Sequence, residues 1–305
     1  MIRTDQLGQS STGRNLLRRS RFLIAAVLLF GVPNGAHAAA SPWVGDEHAA
    51  SRLVTSVQAT GSGSVIDAGL EIRMAPGWHA YWRTPGDAGL APTIDWMGST
   101  NLAQAVIAWP APTRLSVEGL ETFVYPDHAL LPIAATLSDP GRPLALRGSV
   151  DYAACAEVCV PYHADLLLTL PAGFATPGDE APLIAAARAK VPGGLIGARL
   201  TLLSAWAAPM GDKGALLNLE LRSADAPLRQ PDLFIEGLSR GQAGRPEMAL
   251  TDNGRTVALA VQIWGSTASA LAATSLTFTL TDGTERAAEF AAMPTLATTA
   301  NAGTR

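Results

Sequence analysis

From Arg52 onward the chain runs in short segments of alternating apolar and polar residues, broken by Gly, Pro, Asn and Asp. A period of two sends successive side chains to opposite faces of a strand, so the pattern predicts antiparallel β structure and not helix. "AGLEIRM" places Leu70, Ile72 and Met74 on one face, and "LLPIAATL", Leu130 to Leu137, reads as a second strand. Alternation stops at "PAGFATPGDEAPLIAAARAKVPGG", where proline and glycine at both ends enclose an Ala-rich stretch. That stretch predicts one short helix over about 180–190, with Asp179 as its N-cap. Alternation resumes in "LLNLELR", and Asn253-Gly254 and Asp282-Gly283 mark hairpin turns. The economical reading is an all-β fold of two β-sandwiches in series, over 41–170 and 195–292, joined by the short helical linker 171–194. Immunoglobulin-like topology is the working expectation for both. Residues 293–305 end in "TLATTANAGTR", which lacks periodicity and is expected to be a disordered tail.

The first 38 residues belong to neither sandwich. Arg14, Arg18, Arg19 and Arg21 precede the apolar run "FLIAAVLLF" and the small-residue site "AHA", Ala36 to Ala38. This is the layout of a signal peptide cleaved near Ala38, and it places the mature chain in the periplasm. Nine apolar residues fall short of the roughly 20 that span a bilayer, and no later window comes closer, so no membrane span is expected after signal removal. Residues 1–38 carry five arginines and one aspartate, so their loss takes formal charge from −4 to −8. An acidic exported chain is a poor partner for nucleic acid or an anionic membrane. An oxidising compartment also favours paired cysteines.

The chain has two cysteines, Cys155 and Cys159, in "DYAACAEVCVPYHADLLLTL". Three readings stand side by side. As a staple, a loop of about five residues is worth only about 2 kcal/mol, against roughly 4 to 5 for a loop of a hundred. As a metal clip, Cys155, Cys159 and His163 could offer two thiolates and an imidazole. Pro161 interrupts any helix that would align them, however, and no fourth ligand is near, so no metal and no cofactor are assigned. As a redox pair, a weak staple is what a disulfide meant to open would be. Glu157 lies between the cysteines with no base beside it, which suits a relay of near-normal thiol pKa better than a strongly acidic nucleophile. Such a relay needs a covering loop. Trp78, Tyr81 and Trp82 read as core or loop packing, Asp87 as a polar anchor in the turn "TPGDAG", and neither Asp87, Asp95 nor Glu118 is given an acid-base role.

"GWHAYWRTPGDAGLAPTIDW", "WPAPTRLSVEGLETFVYPDHALLPI" and "VDYAACAEVCVPYHADLLL" resemble, in order and spacing, the N-terminal periplasmic domain of the DsbD thiol:disulfide interchange proteins. The resemblance covers about residues 45–170 and is nearest to the branch with a C-x3-C pair. It implies an immunoglobulin-like domain whose cysteines pass electrons to periplasmic thioredoxin-fold proteins, as a protein-disulfide reductase or relay. By position, Cys159 would form the mixed disulfide and Cys155 would resolve it. "ETFVY" falls at the family's cap loop, which nominates Phe123, with Tyr125, as the cover over the disulfide. Members of the family continue into a membrane electron-transfer domain and a thioredoxin-like domain that are not seen here, so a separate membrane electron donor is expected. The reading from another class is a non-enzymatic two-sandwich binding protein, copper-handling or assembly-related, with structural or metal-ligating cysteines.

Overall fold

The computed structural model describes residues 39–211 and 214–297. The expected signal peptide lies outside the described residues, as does the tail beyond 297. The first half contains β1 (Val44–Gly45), β2 (Ala49–Thr55), β3 (Val65–Met74), β4 (His79–Gly86), β5 (Thr93–Asp95), β6 (Leu102–Ile107), β7 (Thr113–Val117), β8 (Leu120–Pro126), β9 (His128–Leu137), β10 (Leu144–Cys155) and β11 (Cys159–Leu170). One sheet runs β1-β2-β3-β9-β6; the other runs β11-β10-β4-β8-β7, with β5 beside β10. Their facing sides bury Leu53, Leu70, Ile72, Leu131 and Ile133 from the first sheet against Trp82, Leu146, Val150, Tyr152, Leu166 and Leu168 from the second. β11 shows the alternation at its clearest: Ala164, Leu166, Leu168 and Leu170 are buried and the residues between them exposed. The all-β, immunoglobulin-like expectation holds.

Helix α1 (Ala181–Ala189) follows, close to its predicted span. Its N-cap is Glu180 and not Asp179, with no side-chain capping bond, because Glu180 is drawn to Arg52 of β2 at 3.0 Å. The helix lies on the first sandwich, burying Ile184 and Ala187 against Val54 and Leu130. Arg52 also donates to Glu71 at 2.6 Å, and His128 Nε2 lies 2.9 Å from the other oxygen of the same carboxylate. Burial alone would raise the Glu71 pKa, but the bonds from His128 and Arg52 outweigh it and hold the carboxyl below the usual 4.5. A depressed carboxyl contributes stability that is present above its unfolded pKa and lost as pH falls through its folded one. Thermal unfolding between pH 7 and pH 3 should therefore drop more steeply in the native protein than in Glu71→Gln; parallel profiles would sink the assignment.

The second half contains β12 (Leu200–Met210), β13 (Gly214–Ser223), β14 (Pro231–Glu236), β15 (Gln242–Ala243), β16 (Glu247–Thr251), β17 (Thr256–Trp264), α2 (Ala268–Ala272), β18 (Leu276–Asp282), β19 (Arg286–Ala292) and β20 (Thr295–Leu296). The sheet β15-β17-β13-β12-β20, with β16 on β17, faces the sheet β14-β18-β19 over a core that includes Leu217, Leu219, Val261, Phe278 and Leu280. Both predicted hairpin turns are present, at Asp252–Gly254 between β16 and β17 and after Asp282 between β18 and β19. Within the stretch expected as a tail, a short strand forms. Thr295 and Leu296 pair in parallel with Trp206 and Ala207 of β12, where backbone pairing needs no apolar periodicity.

Candidate functional site

β10 and β11 form a long antiparallel hairpin in which Cys155 and Cys159 are directly opposed at the turn, with Ala156, Glu157 and Val158 as its loop. The two cysteines are bonded, with Cα atoms 4.1 Å apart. They differ in access. Cys155 is 1% exposed, whereas Cys159 lies on the surface beside Val158, which is 65% exposed.

What buries Cys155 follows from strand parity. Over most of β10 alternate residues are buried, but its last four, Tyr152 to Cys155, are buried on both faces. Tyr152 and Ala154 face the sandwich core, while Ala153 and Cys155 join Tyr81 and Val124 in a separate cluster on the other side of the sheet. Tyr81 and Val124 are register partners on β4 and β8. The Tyr81 hydroxyl lies 3.1 Å from Cys155 Sγ and 3.6 Å from Cys159 Sγ. Burial pushes the Tyr81 pKa up, so the phenol stays protonated and acts as a hydrogen-bond donor to sulfur.

Tyr81 is in turn held from outside. Gly89, at φ +117, brings its backbone so close to the ring that a Cβ there would sit 2.2 Å from the Tyr81 Cε1. Asp87 fixes this loop to β8: its N–H donates to the Glu121 carbonyl at 2.8 Å, and its carboxylate accepts from the Glu121 N–H at 2.8 Å. The polar anchor expected at Asp87 is there, and its bond to β8 keeps the loop on Tyr81.

The residues over the disulfide, Tyr81 and Val124, are not the cover nominated from the sequence. Phe123 and Tyr125 lie on β8 at the opposite parity from Val124, so both face the sandwich core. The Phe123 ring meets Trp82 edge-on at 6.2 Å, and the Tyr125 hydroxyl donates to the Pro110 carbonyl at 2.7 Å. The structure brings Cys155, Cys159 and Tyr81 together, and leaves Phe123 and Tyr125 behind the sheet.

His79 is a second residue that sequence reasoning passed over. It is the register partner of Cys155 on β4, and its ring meets Tyr81 edge-on at 5.3 Å. Burial holds its pKa below the ordinary imidazole value, so it is neutral at neutral pH. His163 stands elsewhere: four residues along β11 from Cys159 is about 13 Å of strand, and its Nδ1 pairs with Asp151 at 2.8 Å. That separation works against a shared metal, and among the described residues no group of three His, Cys, Asp or Glu side chains is placed to hold one. No helix among them is long and apolar enough to cross a membrane.

The site thus offers one attackable sulfur and one sheltered sulfur under a phenolic donor, the arrangement a thiol-disulfide exchange needs. Comparison with known proteins is consistent with that chemistry. Residues 50–171 match the family described as the N-terminal domain of the thiol:disulfide interchange protein DsbD, and residues 190–297 match a domain of unknown function (DUF8393). No curated protein sequence matches the chain. Among solved structures, the N-terminal periplasmic domain of ScsB from Proteus mirabilis is 24% identical with a TM-score of 0.64, covering 85% of this chain and 99% of that one. That likeness shows a common fold running through both sandwiches. A conserved domain protein from Bacillus anthracis, 8% identical over 78% of this chain and 75% of its own, has a TM-score of 0.23, too low to bear on the fold. With the Cys155–Cys159 hairpin inside the matched segment, residues 50–171 are an N-terminal domain of the DsbD thiol:disulfide interchange family.

Proposed function

We propose that this protein is a periplasmic thiol-disulfide relay of the protein-disulfide reductase type, acting on thioredoxin-fold partners through Cys155 and Cys159. In the reduced state the Cys159 thiolate attacks an acceptor disulfide, forming a mixed disulfide and releasing the acceptor's other sulfur as thiolate. Cys155 then attacks Cys159 Sγ, the intermolecular bond breaks, and the acceptor leaves with both electrons and, after protonation, two thiols. The relay is recharged when a donor thiolate attacks the exposed Cys159 sulfur and Cys155 departs as thiolate, after which the donor's second thiolate attacks its own mixed-disulfide sulfur, Cys159 departs as thiolate, and the donor leaves as a disulfide. Tyr81 donates to the Cys155 sulfur and favours that departure, since hydrogen bonds to a charged acceptor are about twice as strong as neutral ones.

The observation that carries the reading is the contrast between Cys159, open to solvent, and Cys155, 1% exposed beneath Tyr81. A purely structural disulfide gains nothing from one open sulfur, whereas exchange demands it. The test is equilibration of the mature protein with dithiol buffers of known potential. The expected midpoint lies above about −300 mV; a value below that, typical of inert structural disulfides, would remove the proposal.

A further inference from the structure

The strands that hold the disulfide cluster have a second face, turned into the first sandwich's own core, and the second sandwich sends one aromatic side chain into it. Trp82 and Phe123 stand next in sequence to Tyr81 and Val124 and point the opposite way, into the core. There they meet Phe234 from β14, which is 1% exposed and belongs to the core cluster of the first sandwich, not its own. Its ring centroid lies 4.9 Å from Phe123 and 5.9 Å from Trp82, both edge-on.

Charged contacts surround this aromatic plug. Arg114 of β7 lies 5.0 Å from the centroids of both Phe123 and Phe234, and donates to Asp232 at 2.9 Å and to the Leu233 carbonyl at 2.7 Å. Arg83 of β4 stacks on Trp82 at 4.6 Å and donates to Glu236 and Glu289. Glu236 also accepts from the Thr84 hydroxyl at 2.6 Å. At the loop after β4, Gln242 of β15 donates to Asp87 at 3.3 Å, the residue that fixes the Gly89 loop over Tyr81. The second sandwich therefore grips β4, β7, β8 and the loop after β4. An independent module on a tether would show a polar interface and would not place its own phenylalanine in its neighbour's core.

We propose that the second sandwich is a positioning element for the redox pair: Phe234 behind β4 and β8, and Gln242 on the covering loop, hold the Tyr81 hydroxyl against the two sulfurs. This rests on the relay reading for its purpose, though not for its test. Phe234 acts through Trp82 and Phe123, so shortening its side chain lets those rings settle toward the gap and draws β4 and β8 with them. The phenol then leaves the sulfur. In the absence of that phenol, the same movement has nothing left to remove.

The experiment is a double-mutant cycle on the mature full-length chain, reading the rate at which dithiothreitol reduces the disulfide alongside thermal unfolding. Tyr81→Phe is expected to slow reduction about tenfold, because the departing Cys155 thiolate loses a donor. Phe234→Leu is expected to slow it by about threefold to tenfold in the native background and not at all in the Tyr81→Phe background, the range that coupling through packed side chains spans. Its effect on the melting temperature should be the same in both. Should Phe234→Leu fail to fold, Gln242→Ala at the surface carries the same expectation at about twofold. Equal slowing in both backgrounds, a rate unchanged by Phe234→Leu and Gln242→Ala, or a rate indifferent to Tyr81→Phe would each overturn the proposal. Dithiothreitol needs no protein partner, so failure of the chain to exchange with thioredoxin-fold proteins would remove the relay while leaving this result readable.

Discussion

Cys155→Ala is expected to capture a thioredoxin-fold protein covalently and keep it, while Cys159→Ala captures none. The partner for this measurement carries a single cysteine activated as an aryl mixed disulfide, so that it cannot resolve the adduct itself and the released aryl thiol reports the rate. In Cys155→Ala the exposed Cys159 attacks the activated sulfur, and no second thiol is present to displace the product. The adduct should approach one per chain. In Cys159→Ala the remaining thiol is Cys155, 1% exposed and covered by Tyr81 and Val124. Attack from there should be slower by about a hundredfold or more, since exchange depends on access to sulfur as well as on thiolate fraction. The reduced native protein should form the adduct transiently and end with its own disulfide closed. Loss of the bond does not confuse the reading, because a five-residue loop contributes only about 2 kcal/mol and both variants remain folded. Equal capture by the two variants, or capture through Cys155 alone, would reverse the assigned roles.

Much of this site was legible in the chain, and the part that was not has a definite physical cause. The cysteine pair, the weakness of its loop as a staple and the β pattern around it all follow from local spacing. So do the hairpin turns after Asp252 and Asp282, because turn chemistry is local. The cover was misplaced by one residue of parity. "ETFVY" shows that alternate residues share a face, but not which face carries the sulfurs, and that phase is set by the pairing of Tyr81 with Val124 across β4 and β8. One signal was available: "HAYW" puts aromatic rings on both faces of one strand, which requires that both faces be covered. The role of Phe234 was not legible at all. "PDLFIEG" reads as an ordinary strand aromatic, and that its ring enters the neighbouring core is a fact of tertiary packing. The docking of the linker helix through Ile184 and Ala187 on Val54 and Leu130 is likewise a fact of tertiary packing.

Gly89→Ala is expected to damage both stability and site, and a matched control separates the two effects. At φ +117 an alanine is strained whatever its surroundings, and its Cβ would fall 2.2 Å from the Tyr81 ring. Backbone and ring must both move. The cost should be about 2 to 4 kcal/mol, the sum of a disfavoured backbone region and overpacking against a buried side chain. Gly77 is the control, because its φ of +83 is also disfavoured for alanine but nothing lies within 4 Å of the added carbon. Gly77→Ala should lose about 1 kcal/mol in urea unfolding and leave the rate of disulfide reduction unchanged. Gly89→Ala should lose more, and its reduction rate should fall to that of Tyr81→Phe, since the displaced phenol no longer reaches Cys155. The combined variant Gly89→Ala with Tyr81→Phe should then be no slower than either alone. If Gly89→Ala reduces at the native rate, the loop is a lid over a ring whose hydroxyl has no part in the chemistry, and Tyr81 buries Cys155 without assisting its departure.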